Sequence, residues 1–174
     1  IYLVTCPTKE TLKKIQSLKI FDPNKIEFLP EPVICLKEFR EKKDEKILED
    51  NFDKNNSIVS IGRLTKQKNQ LFLIKSMEKI FFKHRNLKLF IIGDGELKDE
   101  LRKIINKLNL NNRIFLLGYK KNVFNYLKSC KCFILSSLWE DPGYVLIEAA
   151  MANATIISSN CPNGPSEILN DGHS

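Results

Sequence analysis

From residue 57 onward, short apolar runs alternate with longer stretches in which apolar and charged residues are interleaved. The short runs are rich in Ile, Leu and Phe, and each one leads into a glycine or a serine. Runs of this length and composition predict strands that are buried on both faces. We therefore expect strands at Ser57–Gly62, Leu87–Gly93, Arg113–Leu117, Cys132–Leu135 and Thr155–Ser158.

The stretches between these strands have the spacing of amphipathic helices. The clearest one repeats an apolar residue every three or four positions, at Leu97, Leu101, Ile104 and Leu108. Similar patterns predict helices over Asn69–His84, through Leu73, Met77 and Ile80, and near Val123–Lys128, Tyr144–Met151 and Pro165. Strands that alternate with helices indicate an α/β fold, here a Rossmann-like, doubly wound parallel sheet.

The chain before residue 57 has a different pattern. Ile1–Thr5 predicts a strand and Lys9–Leu18 a helix, whereas Asn24–Val33 is extended and interrupted by prolines. The highly charged stretch Lys37–Asp53 predicts a linker or an exposed helix.

These patterns divide the chain into two parts. We interpret residues 1–50 as the end of a preceding domain followed by a linker, and residues 55–174 as the Rossmann-like domain. Because the chain opens with Ile1 inside a predicted strand, we expect its natural start to lie upstream. We also expect the domain to continue beyond Ser174.

Composition narrows the function classes. The net charge of +7 is compatible with binding of phosphates, anionic lipid or nucleic acid, and equally with an ordinary lysine-rich surface. No zinc pattern supports nucleic-acid binding, so we do not expect a nucleic-acid partner. Five cysteines without a CxxC pair favour reduced thiols, including Cys130 and Cys132, over a disulfide or metal site. With no signal peptide and no apolar run of about 18 residues, we expect a cytoplasmic protein.

Ligands of parallel sheets bind beyond the carboxyl ends of the strands, so the loops there carry the candidate chemistry. The loop after the first strand of this domain begins with Gly62 and contains Arg63 and Lys68. Both cations could face an anionic group, because Arg offers a planar fork and Lys a point charge to phosphate oxygens. The alternative is a solvated basic loop.

The second candidate segment is Gly93-Asp94-Gly95, which follows the next strand. Glycines at this point let the backbone approach a ligand, although a plain strand-to-helix turn would need the same residues. The segment is neither a GxGxxG dinucleotide fingerprint nor a phosphate-binding GxxxxGK[ST] loop, which disfavours a nicotinamide-dependent dehydrogenase.

The third segment runs from Glu140 to Glu148 and ends in a predicted helix. The first amides of a helix can bind an anion, and carboxylates on either side can accept hydrogen bonds from sugar hydroxyls. Phosphate in the middle and hydroxyls at both ends describe a nucleotide-sugar. Alternatively, Glu140 is a solvated loop acid and Glu148 an exposed helix acid. A fourth segment, Asn160–Glu167, is either a structural turn or the rim of the same crevice.

Five segments in order carry a family resemblance: GRLTKQKN, IIGDGE, FLLGY, SSLWEDPGYVLIEAAMA and SSNCPNGPSEIL. Together they resemble the C-terminal domain of the retaining glycosyltransferases of family 4, which have the GT-B fold. The pair Glu140 and Glu148 is similar to the E-x7-E signature of that family. The resemblance covers about residues 57–174, and the segment before it resembles the end of the N-terminal domain of such enzymes.

The resemblance implies roles for individual residues. Arg63 and Lys68 would hold the diphosphate and stabilise the charge that develops as it leaves. Glu140 would orient the donor sugar, and Glu148 would bind the ribose. Further donor contacts would come from Gly62, Gly93, Asp94, Gly95, Tyr119, Gly143, Tyr144, Val145 and Leu146, with Tyr119 near the base and the amides of residues 144–146 on the diphosphate.

The resemblance also implies an activity. The chain would transfer a hexose with retention from a UDP-, GDP- or similar nucleotide-sugar, without a metal or other cofactor. The acceptor would be a lipid-linked saccharide or a growing bacterial surface glycan, at the inner face of the cytoplasmic membrane and with peripheral membrane association. Because the acceptor domain is largely missing, we expect this fragment alone to be inactive. The alternative is a non-catalytic nucleotide-binding module of the same fold.

Overall fold

A computed structural model describes residues 3–31 and 34–172 of the protein. Its strands are β1 Val4–Cys6, β2 Ile26–Phe28, β3 Ser57–Ile61, β4 Lys88–Ile92, β5 Ile114–Gly118, β6 Cys132–Leu135 and β7 Ile156–Ser158. Its α-helices are α1 Lys9–Ser17, α2 Leu36–Lys42, α3 Gln70–Lys83, α4 Lys98–Lys107, α5 Phe124–Ser129, α6 Val145–Met151 and α7 Pro165–Ile168. Some residues of the predicted N-terminal strand, the proline-rich stretch and the C-terminal end lie outside the described residues. They are Ile1, Tyr2, Pro32, Val33, His173 and Ser174.

Five of the strands form one parallel sheet in the order β5-β4-β3-β6-β7. The register pairs Ile58 with Leu89 on one side and with Cys132 on the other. The order reverses between β3 and β6, so the loops that follow these two strands leave the sheet on either side of a crevice. This architecture confirms the predicted α/β fold with a doubly wound parallel sheet.

Two hydrophobic cores cover the sheet, one on each face. Along β4, Leu89 and Ile91 pack beneath α3 and α4, whereas Phe90 and Ile92 face the opposite core with Phe133. This alternation explains why the strands read as continuous apolar runs. Full burial of one such side chain stabilises the fold by about 1.5–3 kcal/mol.

The buried side of α3 differs from the sequence prediction in one position. Leu73, Ile74, Met77 and Phe81 face the core, while Ile80 is largely exposed. The predicted stripe through Leu73, Met77 and Ile80 was therefore wrong at its last member. A wide apolar stripe on a core-facing helix includes neighbours at i and i+1, which a strict three-and-four spacing misses.

The charged stretch before β3 is more closely attached to the sheet than a linker would be. It contains α2, whose polar residues are exposed apart from the half-buried Lys42, and beyond it Ile47 and Phe52 pack against the second core. The Phe52 ring lies 4.9 Å from the Phe90 ring, centroid to centroid. Apolar residues widely spaced among lysines and glutamates give no periodic signal, so the sequence did not reveal this packing.

Strands β1 and β2 pair in parallel and form a separate two-stranded sheet with α1 alongside. We call residues 3–31 the N-terminal unit. Among the described residues, all five cysteines are free, and Cys35 is exposed. Within the same residues, no helix is both long enough and apolar enough to span a bilayer.

Candidate functional site

A cleft of about 560 Å³ lies where the loops after β3 and β6 meet. It brings together seven of the residues singled out from the sequence, namely Gly62, Arg63, Lys68, Glu140, Gly143, Tyr144 and Val145. The strand order explains this proximity, because β3 and β6 are neighbours although most of the domain separates them in sequence. The cleft therefore lies at the crevice expected for a sheet of this type.

A buried ion pair forms the base of the site. The Lys68 Nζ atom lies 2.5 Å from Glu140 Oε1, and the Ser137 hydroxyl donates to the same oxygen at 2.5 Å. The side chains of Lys68 and Glu140 are only 14% and 4% exposed. The alternative interpretation of Glu140 as a solvated loop acid is wrong, because this carboxylate is enclosed and has two donors.

Small residues allow this packing. Gly143 has φ +87°, in the left-handed region, and a Cβ atom there would lie 3.2 Å from Glu140 Cγ. A Cβ atom on Gly62 would lie 3.1 Å from Lys68 Cε. Any larger residue at either position would push against one partner of the ion pair.

Hydrogen bonds also hold the two loops together. The Gln67 side-chain amide donates to the Trp139 carbonyl at 2.9 Å, and the Leu138 amide donates to the Gln67 carbonyl at 2.8 Å. The Ser136 hydroxyl donates to the Lys68 carbonyl at 2.9 Å. The geometry around Lys68 and Glu140 is thus fixed by main-chain contacts and not only by the charges.

Arg63 is the second cation of the cleft, and its guanidinium is exposed. Among the described residues it makes no ion pair, and its carbonyl accepts a hydrogen bond from the Gln70 side chain. A guanidinium without an internal partner keeps its five N–H donors available for an anion such as phosphate. As far as the structure describes the chain, the cleft therefore combines an unpaired cation, Arg63, with a paired one, Lys68.

The loop before α6 supplies backbone donors. Within the described part of the chain, the amides of Tyr144 and Val145 donate no hydrogen bond, whereas the Leu146 amide donates to the Gly143 carbonyl at 2.9 Å. Two amides beside Arg63 and Lys68 add partial positive charge to the cleft. The Leu146 side chain is fully buried in the core and lies outside the cleft lining.

Glu148 also lies outside the cleft lining, one turn along α6. Burial raises the pKa of its carboxyl group above the ordinary value, and among the described residues no side-chain hydrogen bond to it is present. A partly buried carboxylate without a partner retains its full capacity to accept hydrogen bonds.

The segment Gly93-Asp94-Gly95 and Tyr119 lie away from the cleft lining. Gly93 has φ +139°, and a Cβ atom there would lie 2.0 Å from the Gly62 carbonyl oxygen, so the loops after β3 and β4 touch at this point. Asp94 pairs with Lys98 at 2.7 Å, which lowers the pKa of its carboxyl group. Tyr119 is 76% exposed beyond the end of β5. Gly93 therefore has a structural role, because it allows the two loops to touch. Contact of Gly93, Asp94, Gly95 or Tyr119 with a ligand stays a prediction.

Several residues of the cleft were not singled out from the sequence. Ser137 donates to Glu140, and Gln67 and Trp139 line the cavity. Ser137 belongs to a serine pair at the end of β6, and polar residues directly after a buried strand were the available signal. The position of Gln67 depends on tertiary contacts and left no pattern in the sequence. Asn163 also lines the cavity, and it belongs to the segment Asn160–Glu167, for which we expected either a structural turn or the rim of the crevice; this residue lies at the rim.

The N-terminal unit contacts the cleft residues Tyr144 and Asn163, and also Glu167 on α7. The Glu167 carboxylate accepts hydrogen bonds from the amides of Lys9 and Glu10, at 3.2 Å each. The Asn163 amide donates to the Glu10 carboxylate at 2.8 Å. The Tyr144 hydroxyl donates to Glu31 at 2.5 Å, and burial together with this bond raises the pKa of Tyr144 to about 12.

The described residues contain no group of three or more His, Cys, Asp or Glu side chains that could hold a metal ion. Cationic side chains and backbone amides are the positive groups of the cleft. Its chemistry is suited to an anion that carries hydroxyl groups nearby, because Glu140 can accept hydrogen bonds at the same place.

Comparison with known proteins identifies the family of the chain. The sequence model of the family described as Glycosyl transferases group 1 matches residues 40–174. An uncharacterized glycosyltransferase of Methanocaldococcus jannaschii is 49% identical over 129 residues, which is 74% of this chain and 31% of the relative. The N-acetylgalactosamine-N,N'-diacetylbacillosaminyl-diphospho-undecaprenol 4-alpha-N-acetylgalactosaminyltransferase of Campylobacter jejuni is 36% identical over 127 residues, 73% of this chain and 34% of the relative. The chain thus spans about a third of the length of these relatives.

Solved structures show the same fold. A crystal structure of an S. aureus TarM mutant in complex with Fondaparinux, alpha-GlcNAc-glycerol and UDP superimposes with a TM-score of 0.78 at 26% identity, covering 96% of this chain and 31% of TarM. Anabaena HepE in complex with UDP and glucose has a TM-score of 0.75 at 19% identity, covering 95% of this chain and 46% of HepE, and supports the fold alone. By its sequence match, and by a parallel sheet that matches GT-B glycosyltransferase structures, the chain belongs to the group 1 glycosyl transferases.

Proposed function

We propose that the cleft binds the diphosphate and sugar of a nucleotide-sugar, and that the whole protein transfers this sugar with retention as a family 4 hexosyltransferase. The observation that carries the proposal is the shared cleft of Arg63, Lys68 and Glu140 with the free amides of Tyr144 and Val145. Cations and amides suit a diphosphate, and the carboxylate suits sugar hydroxyls.

The two cations have different tasks in this proposal. Arg63 has no ion-pair partner in residues 3–31 and 34–172, and it can take phosphate oxygens in its planar fork. Lys68 is held by Glu140 and has further N–H donors for a phosphate oxygen. As the bond between the sugar and the diphosphate breaks, negative charge grows on the leaving oxygen, and preorganised cations lower the barrier most at that moment.

Glu140 orients the donor sugar in this scheme. Its Oε1 atom is engaged by Lys68 and Ser137, which fixes the carboxylate and leaves Oε2 without a described partner for a sugar hydroxyl. Gly143 keeps the space beside this carboxylate free of side-chain atoms. A fixed hydrogen-bond acceptor near the reacting carbon holds the donor sugar in one orientation, and this orientation lowers the entropic cost of the transfer step.

The nucleoside would extend from the cleft along α6. Glu148 is partly buried and has unused acceptor capacity, which supports a contact with ribose hydroxyls. Tyr119, beyond β5, would lie near the base, which we expect to belong to UDP, GDP or a similar nucleotide. Gly62, Gly93, Asp94 and Gly95 would make further donor contacts. The Leu146 amide, which we expected on the diphosphate, instead donates to the Gly143 carbonyl, so its buried side chain would support the amide region from the core.

We further propose a role in bacterial surface glycan synthesis, with a lipid-linked saccharide or growing glycan as acceptor. The names of relatives support this, since they include a diphospho-undecaprenol-dependent transferase and an amylovoran biosynthesis glycosyltransferase. Such acceptors would place the whole protein in the cytoplasm at the inner face of the membrane, associated peripherally. The acceptor contacts would come from its own N-terminal domain, so this fragment alone would bind donor without transferring it.

The test is a calorimetric titration of this chain with UDP, GDP and a panel of their sugars. We expect weak, millimolar or tighter binding of at least one of them, lost in Arg63→Ala and Lys68→Met. Lys66→Met is the matched control, because Lys66 is an exposed lysine of the same loop outside the cleft lining. Absence of binding at millimolar ligand by the intact chain would refute the proposal. Donor binding without sugar transfer by a longer protein that includes the N-terminal domain would indicate a non-catalytic module instead.

A further inference from the structure

The outer side of α3 carries exposed residues that the donor site does not use. Phe72 is 60% exposed and Phe82 is 85% exposed, although the opposite side of the same helix is buried in the core. At 3.6 residues per turn, Phe72, Lys75, Lys79, Phe82 and Lys83 fall within an arc of roughly 100°. We call these five residues the α3 outer stripe.

The charges of this stripe have no internal counterpart. Lys75, Lys79 and Lys83 are exposed, and none of them appears in an ion pair among the described residues. Neither exposed phenylalanine takes part in a ring contact there. The stripe is therefore a surface of about three helical turns with interleaved cations and aromatic rings, and nothing of the described chain lies upon it.

Basic and apolar residues also lie together past the C-terminal end of α3. A cavity of about 500 Å³ follows the C-terminal end of α3, with the cations Arg85 and Lys131 and the apolar side chains of Ile80 and Ile157 in its wall. Apolar and basic groups thus extend together from α3 towards the edge of the sheet.

We propose that the α3 outer stripe docks on an anionic lipid bilayer, with the phenylalanine rings entering the headgroup region and the lysines contacting lipid phosphates. A helix with aromatic residues between lysines on one exposed face is suited to lie in the plane of such a surface. A second copy of the chain is a poorer occupant, because two identical stripes would bring the three lysines against three lysines. The choice of a lipid partner rests on the proposed function, which places the acceptor on a lipid carrier.

The test is co-sedimentation of this 174-residue chain with phosphatidylcholine vesicles, with and without phosphatidylglycerol. We expect binding only to the anionic vesicles, weakened by added salt because exposed charges are screened. Each cation near an anionic surface raises the membrane partition coefficient about five-fold. The double variant Lys75→Gln with Lys79→Gln should therefore lower this coefficient about 25-fold. Phe72→Ser with Phe82→Ser should abolish binding at the same lipid concentration.

The matched control changes Lys103 and Lys107 to glutamine on α4, where both are exposed and outside any described ion pair. It removes the same charge from a neighbouring helix and should leave binding within about two-fold. An equal loss in the control would mean that net charge and not the stripe is responsible, and would overturn the inference. So would a dimer in solution that Phe72→Ser with Phe82→Ser dissociates.

Nucleotide titration of the same variants separates this inference from the proposed function. Stripe variants that lose vesicle binding but still bind UDP support docking by α3. Wild-type chain that binds anionic vesicles but no nucleotide leaves docking supported and the donor site refuted. Unchanged vesicle binding in the stripe variants overturns the docking inference whatever the nucleotide result.

Discussion

Replacing Lys68 with methionine removes the cationic partner of Glu140 while keeping most of the side-chain volume. Glu140 would then be left as a carboxylate that is 4% exposed, with the Ser137 hydroxyl as its remaining side-chain donor. Removing one partner of a buried ion pair costs about 3–5 kcal/mol, because the other charge stays desolvated and uncompensated. Since Lys68 itself is 14% exposed, some water already reaches the pair, and we expect the lower end of this range.

The double variant Lys68→Met with Glu140→Leu separates the two contributions to this cost. Without either charge, nothing ionised remains buried, so the double variant should lie within about 1 kcal/mol of the wild-type chain. Glu140→Leu alone should cost about 1–2 kcal/mol, because the long lysine side chain can turn its ammonium group towards water. The single-variant costs should therefore not add up in the double variant.

Urea and thermal unfolding measure these differences. A loss of about 3 kcal/mol in Lys68→Met corresponds to a fall in Tm of about 6–12 °C for a chain of this length. Lys66→Met, on the exposed part of the same loop, should change the free energy of unfolding by less than about 0.5 kcal/mol. The reasoning fails if Lys68→Met is as stable as that control, or if the double variant loses the sum of the two single costs.

Three further predictions concern other parts of the site. Gly93→Ala should lower the free energy of unfolding by about 3 kcal/mol or more, measured by thermal unfolding, because the new Cβ atom meets backbone atoms. Gly118→Ala, where the Cβ atom meets open space, should lower it by about 1 kcal/mol. Equal losses in the two variants would contradict this reasoning. Burial raises the pKa of Glu148 above its ordinary value of 4.5, so its ionisation destabilises the fold as the pH rises through the raised value. Glu148→Gln should therefore raise the free energy of unfolding in urea by about 0.5–1 kcal/mol at pH 7 and leave it unchanged at pH 4. The same variant should bind nucleotide more weakly. A stability gain that does not vary with pH would refute the burial argument. Glu167→Ala should speed hydrogen exchange in the first turn of α1 about five-fold, measured by mass spectrometry, and an unchanged rate would show that the carboxylate does not hold that turn.

The parallel sheet was predictable because its central strands β3 and β4 are almost entirely buried, and all five strands are rich in apolar residues. The strand order was not predictable from the sequence, since apolar runs such as Ser57–Ile61 and Cys132–Leu135 do not encode which neighbour they pair with. The attachment of Phe52 to the sheet was missed for a related reason. One aromatic residue among charges has no period, and only the fold reveals what it packs against.

The site was predictable in its residue types and not in its pairing. Arg63, Lys68 and Glu140 could be singled out because they follow strand ends, where ligands of such sheets bind. The contact between Lys68 and Glu140 spans 72 positions and depends on the adjacency of β3 and β6. The separation of Glu148 from the cleft lining, and the engagement of the Leu146 amide by Gly143, likewise follow from how α6 begins.

Hydrogen bonds join the N-terminal unit to residues of the cleft. Because of them, ligand binding in the cleft and the seating of the N-terminal unit are thermodynamically linked. Tyr144 and Asn163 line the cleft, and each also bonds the N-terminal unit, through Glu31 and Glu10. A molecule that favours the present loop arrangement must tighten the seating of that unit, and a seated unit must raise the affinity for that molecule by the same factor. A molecule that displaces the loops must loosen the unit. Cys35 is an exposed thiol four positions after Glu31, so a fluorescent dye attached there would report occupancy from outside the cleft.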